Sequence, residues 1–369
     1  MGTILPFEQV PPLLRFFTGV SVGNETVRRL TEEAGRALVA LEEAEYAHLQ
    51  QEMPPPPDGP AVQQLSADGA MVPVLHGEWA EVRTLVIGEL NQDEQHEPHA
   101  TNLTYFSRLA DARTFTDLAT VATYRAGTER AGVVCAVMDG ADWLQHLIDL
   151  HRPDAVRILD FPHAAEYLSR AAQAVFGPGT EAATTWLETH CSTLKTGNPD
   201  DVLTAIRSLP AAGDAVAVRD RVLAYLENRR EQIRYAHFRQ QGYPLGSGAV
   251  ESANKLVVEA RLKGSGMHWA RGNVSPMVAL RATYCSGTWD EWWPVIRAHL
   301  RTARTKRRHD ESLPAPPVLL DPPIEVVEAP PAPPRPTEPP KVIAGRPTEH
   351  HPWKRAYDPV LAARARERS

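Results

Sequence analysis

The chain has 369 residues, enough for two domains or for one large domain with appendages, and 43% are hydrophobic, enough to bury a core. Its net charge is −7, with 46 acidic against 39 basic residues, so attraction to a polyanion must come from local patches rather than from the whole. Three widely separated cysteines (Cys135, Cys191 and Cys285), no CxxC pair, no apolar run of about eighteen residues and no basic start exclude four features: a disulfide framework, a cysteine zinc site, a transmembrane span and a signal peptide.

The first fifty residues predict two helical pieces around a Thr18-Gly19 break. Asn24 is a cap, and Val27, Leu30, Ala34, Leu38 and Leu41 recur at helical spacing, giving a long amphipathic helix over 25–49. This region, 1–53, reads either as a helix-turn-helix remnant or as a helical cap on the main domain. PPPPDG at 54–59 ends it. Strand signals follow at 62–75, 82–90 and 103–109, and residues 87–99 (IGELNQDEQHEPH) read as an acidic insertion. Residues 114–128 predict a helix, 132–138 (GVVCAVM) a buried strand ending at Asp139-Gly140, and 155–159 another strand ending at Asp160, with a helix between. Strands, then helix, strand, helix and strand predict an α/β fold with a mixed sheet flanked by helices over 60–163.

Residues 164–240 are helical throughout in pattern, too long for a simple crossover, and read as an all-helical insertion. GYPLGSG at 242–248 leads to a helix beginning near Ala249, and a further helix spans 275–284 with Pro276 in its first turn. Trp289, Trp292 and Trp293 read as packing aromatics. The folded part closes with 241–308, whose basic run (Arg301, Arg304, Lys306, Arg307, Arg308) reads either as an electrostatic clamp on DNA or as a solubilising end. The proline-rich 309–369 is expected to be largely disordered.

Three acidic residues fall where such elements would present them at one edge: Asp68 in LSADGAMVPV, Asp139 in VVCAVMDGADW and Glu251 in GSGAVESANK. Carboxylates from distant positions that converge at strand ends suit divalent ions, which activate an attacking oxygen and stabilise a leaving one in phosphodiester chemistry. The pattern alone leaves nuclease, polymerase-like enzyme and phosphatase open.

SADGAMVPV, VMDGADWLQHLI, ILDFPHAAEYL, GYPLGSGAVESANKLV, RLKGSGMHW and LRATYCSGTWDEWW occur in that order. Together they resemble transposases of the ISKra-type bacterial insertion sequences, over roughly residues 5–308. The resemblance implies an RNase H-like DDE transposase fold, with an all-helical insertion before the last catalytic helix. It implies cleavage and strand transfer of insertion-sequence DNA ends with two Mg2+ ions, for which Mn2+ can substitute. Asp68, Asp139 and Glu251 match the catalytic, metal-holding residues, and Asp160 competes with Asp139 for the second aspartate. The alternatives are an inactive DNA-binding descendant and a nuclease that cleaves without joining.

Arg261, Lys263, His268 and Trp269 of RLKGSGMHW, with Lys255 and His163, are the DNA-contact candidates, each with a structural alternative as a turn anchor, solvated charge or packing residue. The expected partners are double-stranded DNA carrying terminal repeats, target DNA and further copies of the chain, in a cytoplasmic setting with no membrane. Against that family the chain reads as short at its amino end, implying incomplete end recognition.

Overall fold

The structure is a computed structural model describing residues 1–95, 97–312, 342–343 and 346–347. Two units divide the chain, Met1–Ser312 and Leu313–Ser369. In the second, Val342–Ile343 pairs antiparallel with Arg346–Pro347. The disorder expected for 309–369 otherwise falls outside the described residues beyond Ser312.

The first unit begins with α1 (Val10–Thr18), which Gly19 ends in the left-handed conformation, and α2 (Asn24–Glu52). Ala34, Ala37 and Leu38 form the buried stripe of α2. Strands β1 (Val62–Pro73), β2 (Trp79–Gln92) and β3 (Pro98–Arg108) follow as an antiparallel meander, and β1 runs unbroken through Gly69. The expected acidic insertion is the tip of the β2–β3 hairpin, pairing as far as Gln92 with Pro98. There the Asp93 carboxylate accepts the amides of Gln95 and Glu97, so acidic side chains build the turn rather than interrupt the strands.

The helix expected over 114–128 is two, α3 (Ala112–Leu118) and α4 (Thr120–Arg125), with Asp111 capping the first through the Thr114 amide. Strand β4 (Val133–Met138), helix α5 (Asp142–His151) and strand β5 (Val156–Leu159) complete a five-stranded sheet of order β3-β2-β1-β4-β5. Within it β1, β4 and β5 are parallel. This is the expected α/β fold, with a mixed sheet and helices on its flanks.

Next come α6 (Phe161–Phe176), α7 (Glu181–Thr196), α8 (Pro199–Arg207), α9 (Asp214–Glu227) and α10 (Tyr235–Gln240), the helical stretch anticipated before the Glu251 helix. Their apolar faces (Leu168, Leu194, Ile206, Leu226) close over Val137 and Ile158 of the sheet as one core. Helix α11 (Gly248–Ala253) runs through a π-helical turn at Asn254–Glu259 into α12 (Ala260–Leu262). Helices α13 (Arg271–Cys285) and α14 (Trp289–Ser312) end the unit. Pro276 sits inside α13, not in its first turn as expected. The carbonyl it leaves without an amide partner belongs to exposed Gly272, where water can satisfy it.

Leu38 of α2 packs with Leu280 of α13 and Trp292 and Ile296 of α14, so α2 covers the main body as a helical cap. Trp292 is buried in that layer, and Trp289 stacks on Trp293 at a ring separation of 5.4 Å. No helix among the described residues is long and apolar enough to cross a membrane.

Candidate active site

Strand order brings the segments that carry the three aspartates side by side. Leu65 pairs with Ala136 across the parallel β1–β4 ladder, so continuing three residues sets Asp68 opposite Asp139. Met138 pairs with Leu159 across β4–β5, and one further step sets Asp139 opposite Asp160. The Asp160 amide still donates to the Met138 carbonyl at 2.7 Å, so that ladder extends past the assigned strand ends. Asp139 and Asp160 thus follow directly on the ends of β4 and β5, and Asp68 lies within β1, three residues past its last pairing with β4.

The three differ in what their oxygens do. Asp160 is 5% exposed, and backbone amides take both its oxygens: His163 N donates to Oδ2 at 3.1 Å and Ser247 N to Oδ1 at 2.7 Å. It caps α6 and ties down the loop entering α11, which the Phe161 amide also grips through the Leu245 carbonyl. Asp139 is half-buried and accepts the Ala141 amide at 2.8 Å on Oδ1 alone. Asp68 is also half-buried. Burial pushes its carboxyl above the ordinary value, the Gly69 amide and Asn254 pull against that, and the Asp139 and Glu81 carboxylates add to the rise. Asp68 therefore feels the charge of Asp139.

Glu251 projects from α11, whose Val250 and Ala253 bury against Val86 of β2 and so seat the helix on the sheet. Glu251 itself is exposed and accepts a long hydrogen bond, 3.4 Å, from Ser247 Oγ. The direct link from this helix to Asp68 is Asn254, 6% exposed, whose Nδ2 donates to Asp68 Oδ2 at 3.0 Å. Its Oδ1 is buried without a partner. A π-helical turn, a feature frequent at functional sites, carries Asn254. Asn254 lies three residues beyond Glu251, and only the seating of this helix on the sheet shows its contact with Asp68.

These donors are hard oxygens, with one orphaned amide oxygen beside Asp68, and that chemistry fits Mg2+ or Mn2+. Among the described residues, no three His, Cys, Asp or Glu side chains lie close enough to hold one ion together.

The remaining candidates separate by burial. Arg261 is 2% exposed, with its guanidinium 4.6 Å from the Phe7 ring centroid and 5.0 Å from that of Trp269, and its Nε donates to the Gly2 carbonyl. Burial, then Arg281, lowers its pKa to about 10. Trp269 is 7% exposed and donates Nε1 to the Leu262 carbonyl, while its backbone bridges to Val74 at the end of β1. Arg261 and Trp269 are interior anchors, with almost no surface for a phosphate or a base. His163 packs edge-on against Tyr167. Lys263 pairs with Glu259 at 2.6 Å, and Lys255 and His268 are exposed.

Two residues unmarked in the sequence hold the Asp139 turn. Tyr225 Oη donates to the Asp139 carbonyl at 3.0 Å, and Arg229 Nη2 to the Gly140 carbonyl at 2.7 Å. Nothing in the helical periodicity around 225 distinguishes a tyrosine facing a turn 86 residues earlier from an ordinary packing residue. No protein-family model matches this chain, and no curated protein matches it.

Proposed function

We propose that this chain is a DDE-type transposase that cleaves the ends of a mobile DNA element and joins them to target DNA. The observation that carries the reading is the placing of Asp68 in β1 and of Asp139 directly after β4, adjacent parallel strands of a 3-2-1-4-5 mixed sheet, with the Asp139 charge among the causes that raise the Asp68 carboxyl. Asp68 and Asp139 would hold magnesium or manganese, with Glu251 joining from α11. When bound, the ions supply a Lewis acid for the scissile phosphate and lower the pKa of the attacking water or hydroxyl.

The chain's own groups do the rest. Asn254 orients the Asp68 carboxylate through its amide, and the Ala141 amide orients that of Asp139. Asp160 positions the loop that delivers Glu251 instead of serving as the second ligand, because backbone amides already take both its oxygens. Exposed Lys255, Lys263 and His268 are the remaining candidates of that set for DNA phosphates. Further copies of the chain and a reduced cytoplasmic setting, which suits three free cysteines, belong to the same proposal.

A second reading, an inactive descendant that still binds DNA, is favoured by one observation: among the described residues no three His, Cys, Asp or Glu side chains lie close enough to hold one ion. Manganese calorimetry on the intact protein, Asp139→Ala and Asp160→Ala tests both. We expect binding to vanish in Asp139→Ala and to persist in Asp160→Ala. Loss only in Asp160→Ala would transfer the ligand role to Asp160. No binding by the intact protein, with or without DNA, would favour the inactive descendant. A strand-transfer product from a pre-cut end then separates a transposase from a nuclease that only cuts.

A further inference from the structure

We propose that the helical insertion positions the Asp139 carboxylate: Tyr225 and Arg229 hold the two consecutive carbonyls of the Asp139–Gly140 turn and act as positioning residues of the metal site. The proposal rests on the reading of Asp139 as a ligand. Tyr225 lies in the last turn of α9 and Arg229 two residues past its end, both far from Asp139 in sequence, and both are directed at backbone instead of at solvent or an acidic partner. The Arg229 guanidinium also reaches the Tyr225 carbonyl through Nη1 and lies 3.9 Å from the Tyr225 ring centroid. Tyr225 in turn stacks on Tyr167 of α6, with centroids 3.8 Å apart and planes within 2°. The hydroxyl that grips Asp139 is therefore carried on a ring fixed by two neighbours.

The turn has no slack against this grip. Gly140 has φ +83, and a Cβ there would stand 2.5 Å from Tyr225 Oη, 2.8 Å from Arg229 Nε and 2.9 Å from Leu159 Cδ1. The Asp139 carboxylate bonds to the amide of Ala141 in the same turn, so moving the carbonyls at 139 and 140 moves the carboxylate with them. A hydrogen-bonded frame around a ligating carboxylate commonly changes metal affinity by roughly ten- to a hundredfold when removed. The insertion thus acts on the reaction centre through backbone atoms, without a side chain in it.

Manganese calorimetry and amide hydrogen exchange on the full-length protein test this, with Tyr225→Phe, the double variant Tyr225→Phe/Arg229→Gln, and Asp139→Asn. Tyr225→Phe keeps the stacked ring and removes only the donor, so it decides the matter even where the double variant does not fold. The expected result is manganese affinity about tenfold weaker in Tyr225→Phe, with faster exchange confined to residues 139–141 and little change in melting temperature. Asp139→Asn losing manganese while both clamp variants keep wild-type affinity and exchange would overturn the clamp alone. Asp139→Asn binding manganese normally would overturn the ligand reading, and the clamp's part in the metal site with it.

Discussion

At the scale of single residues, Asp68 bears the clearest electrostatic cost. Its folded-state pKa is raised, so the folded protein holds that proton more tightly than the unfolded chain does. Stability from this group is therefore lost as pH rises through the interval between the unfolded value and the higher folded one. Asp68→Asn removes the cost and can return a hydrogen bond to the orphaned Asn254 Oδ1. Thermal melts of Asp68→Asn should exceed wild type at pH 7 and converge with it near the unfolded carboxyl value of 3.8, while manganese binding is lost. A variant no more stable than wild type at pH 7 would contradict the assigned environment. Asp68 and Asp139 were both legible as candidates, one within the first strand signal and one ending the most apolar strand. That Asp160 serves as a cap was not, because a strand-terminal Asp before a helix looks the same whether its oxygens face a metal or amides.

At the scale of elements, α2 and α13 meet where Gly35 lies directly on the Pro276 backbone. A Cβ at Gly35 would collide with the Pro276 carbonyl oxygen and carbon, and backbone at that point has little room to yield. Gly35→Ala, favourable in an isolated helix, should here cost about 2 kcal/mol by overpacking. Urea denaturation checks it, and a stabilised variant would show that the two helices can part freely. Helical spacing announced α2 and its apolar stripe, but not that Gly35 is a contact residue, since a glycine in a helix reads as a weakness until its neighbour is known. The same limit applies at the β2–β3 hairpin, where polar strand ends carry no periodic signal and pairing across the ladder supplies what composition lacks.

At the scale of the whole molecule, every hydrophobic cluster described lies within Met1–Ser312. A chain ending at Ser312 should therefore unfold cooperatively, with its melting temperature within about 2 °C of the full chain. A large fall in differential scanning calorimetry would show that the proline-rich region adds to the fold.

Local chemistry alone determined the order and type of most elements here, because periodicity 2 or 3.6 and turn residues are written in neighbouring positions. It also marked the acidic residues worth testing and the long helical stretch between β5 and α11. Only tertiary structure brought positions 68, 139 and 160 onto neighbouring strands, because that depends on strand register and sheet order, which join unrelated stretches of chain. It likewise turned Arg261 and Trp269 from surface candidates into buried anchors and brought Tyr225 and Arg229 to the Asp139 turn. Burial and long-range hydrogen bonds belong to the packed assembly, and no local stretch of sequence contains them.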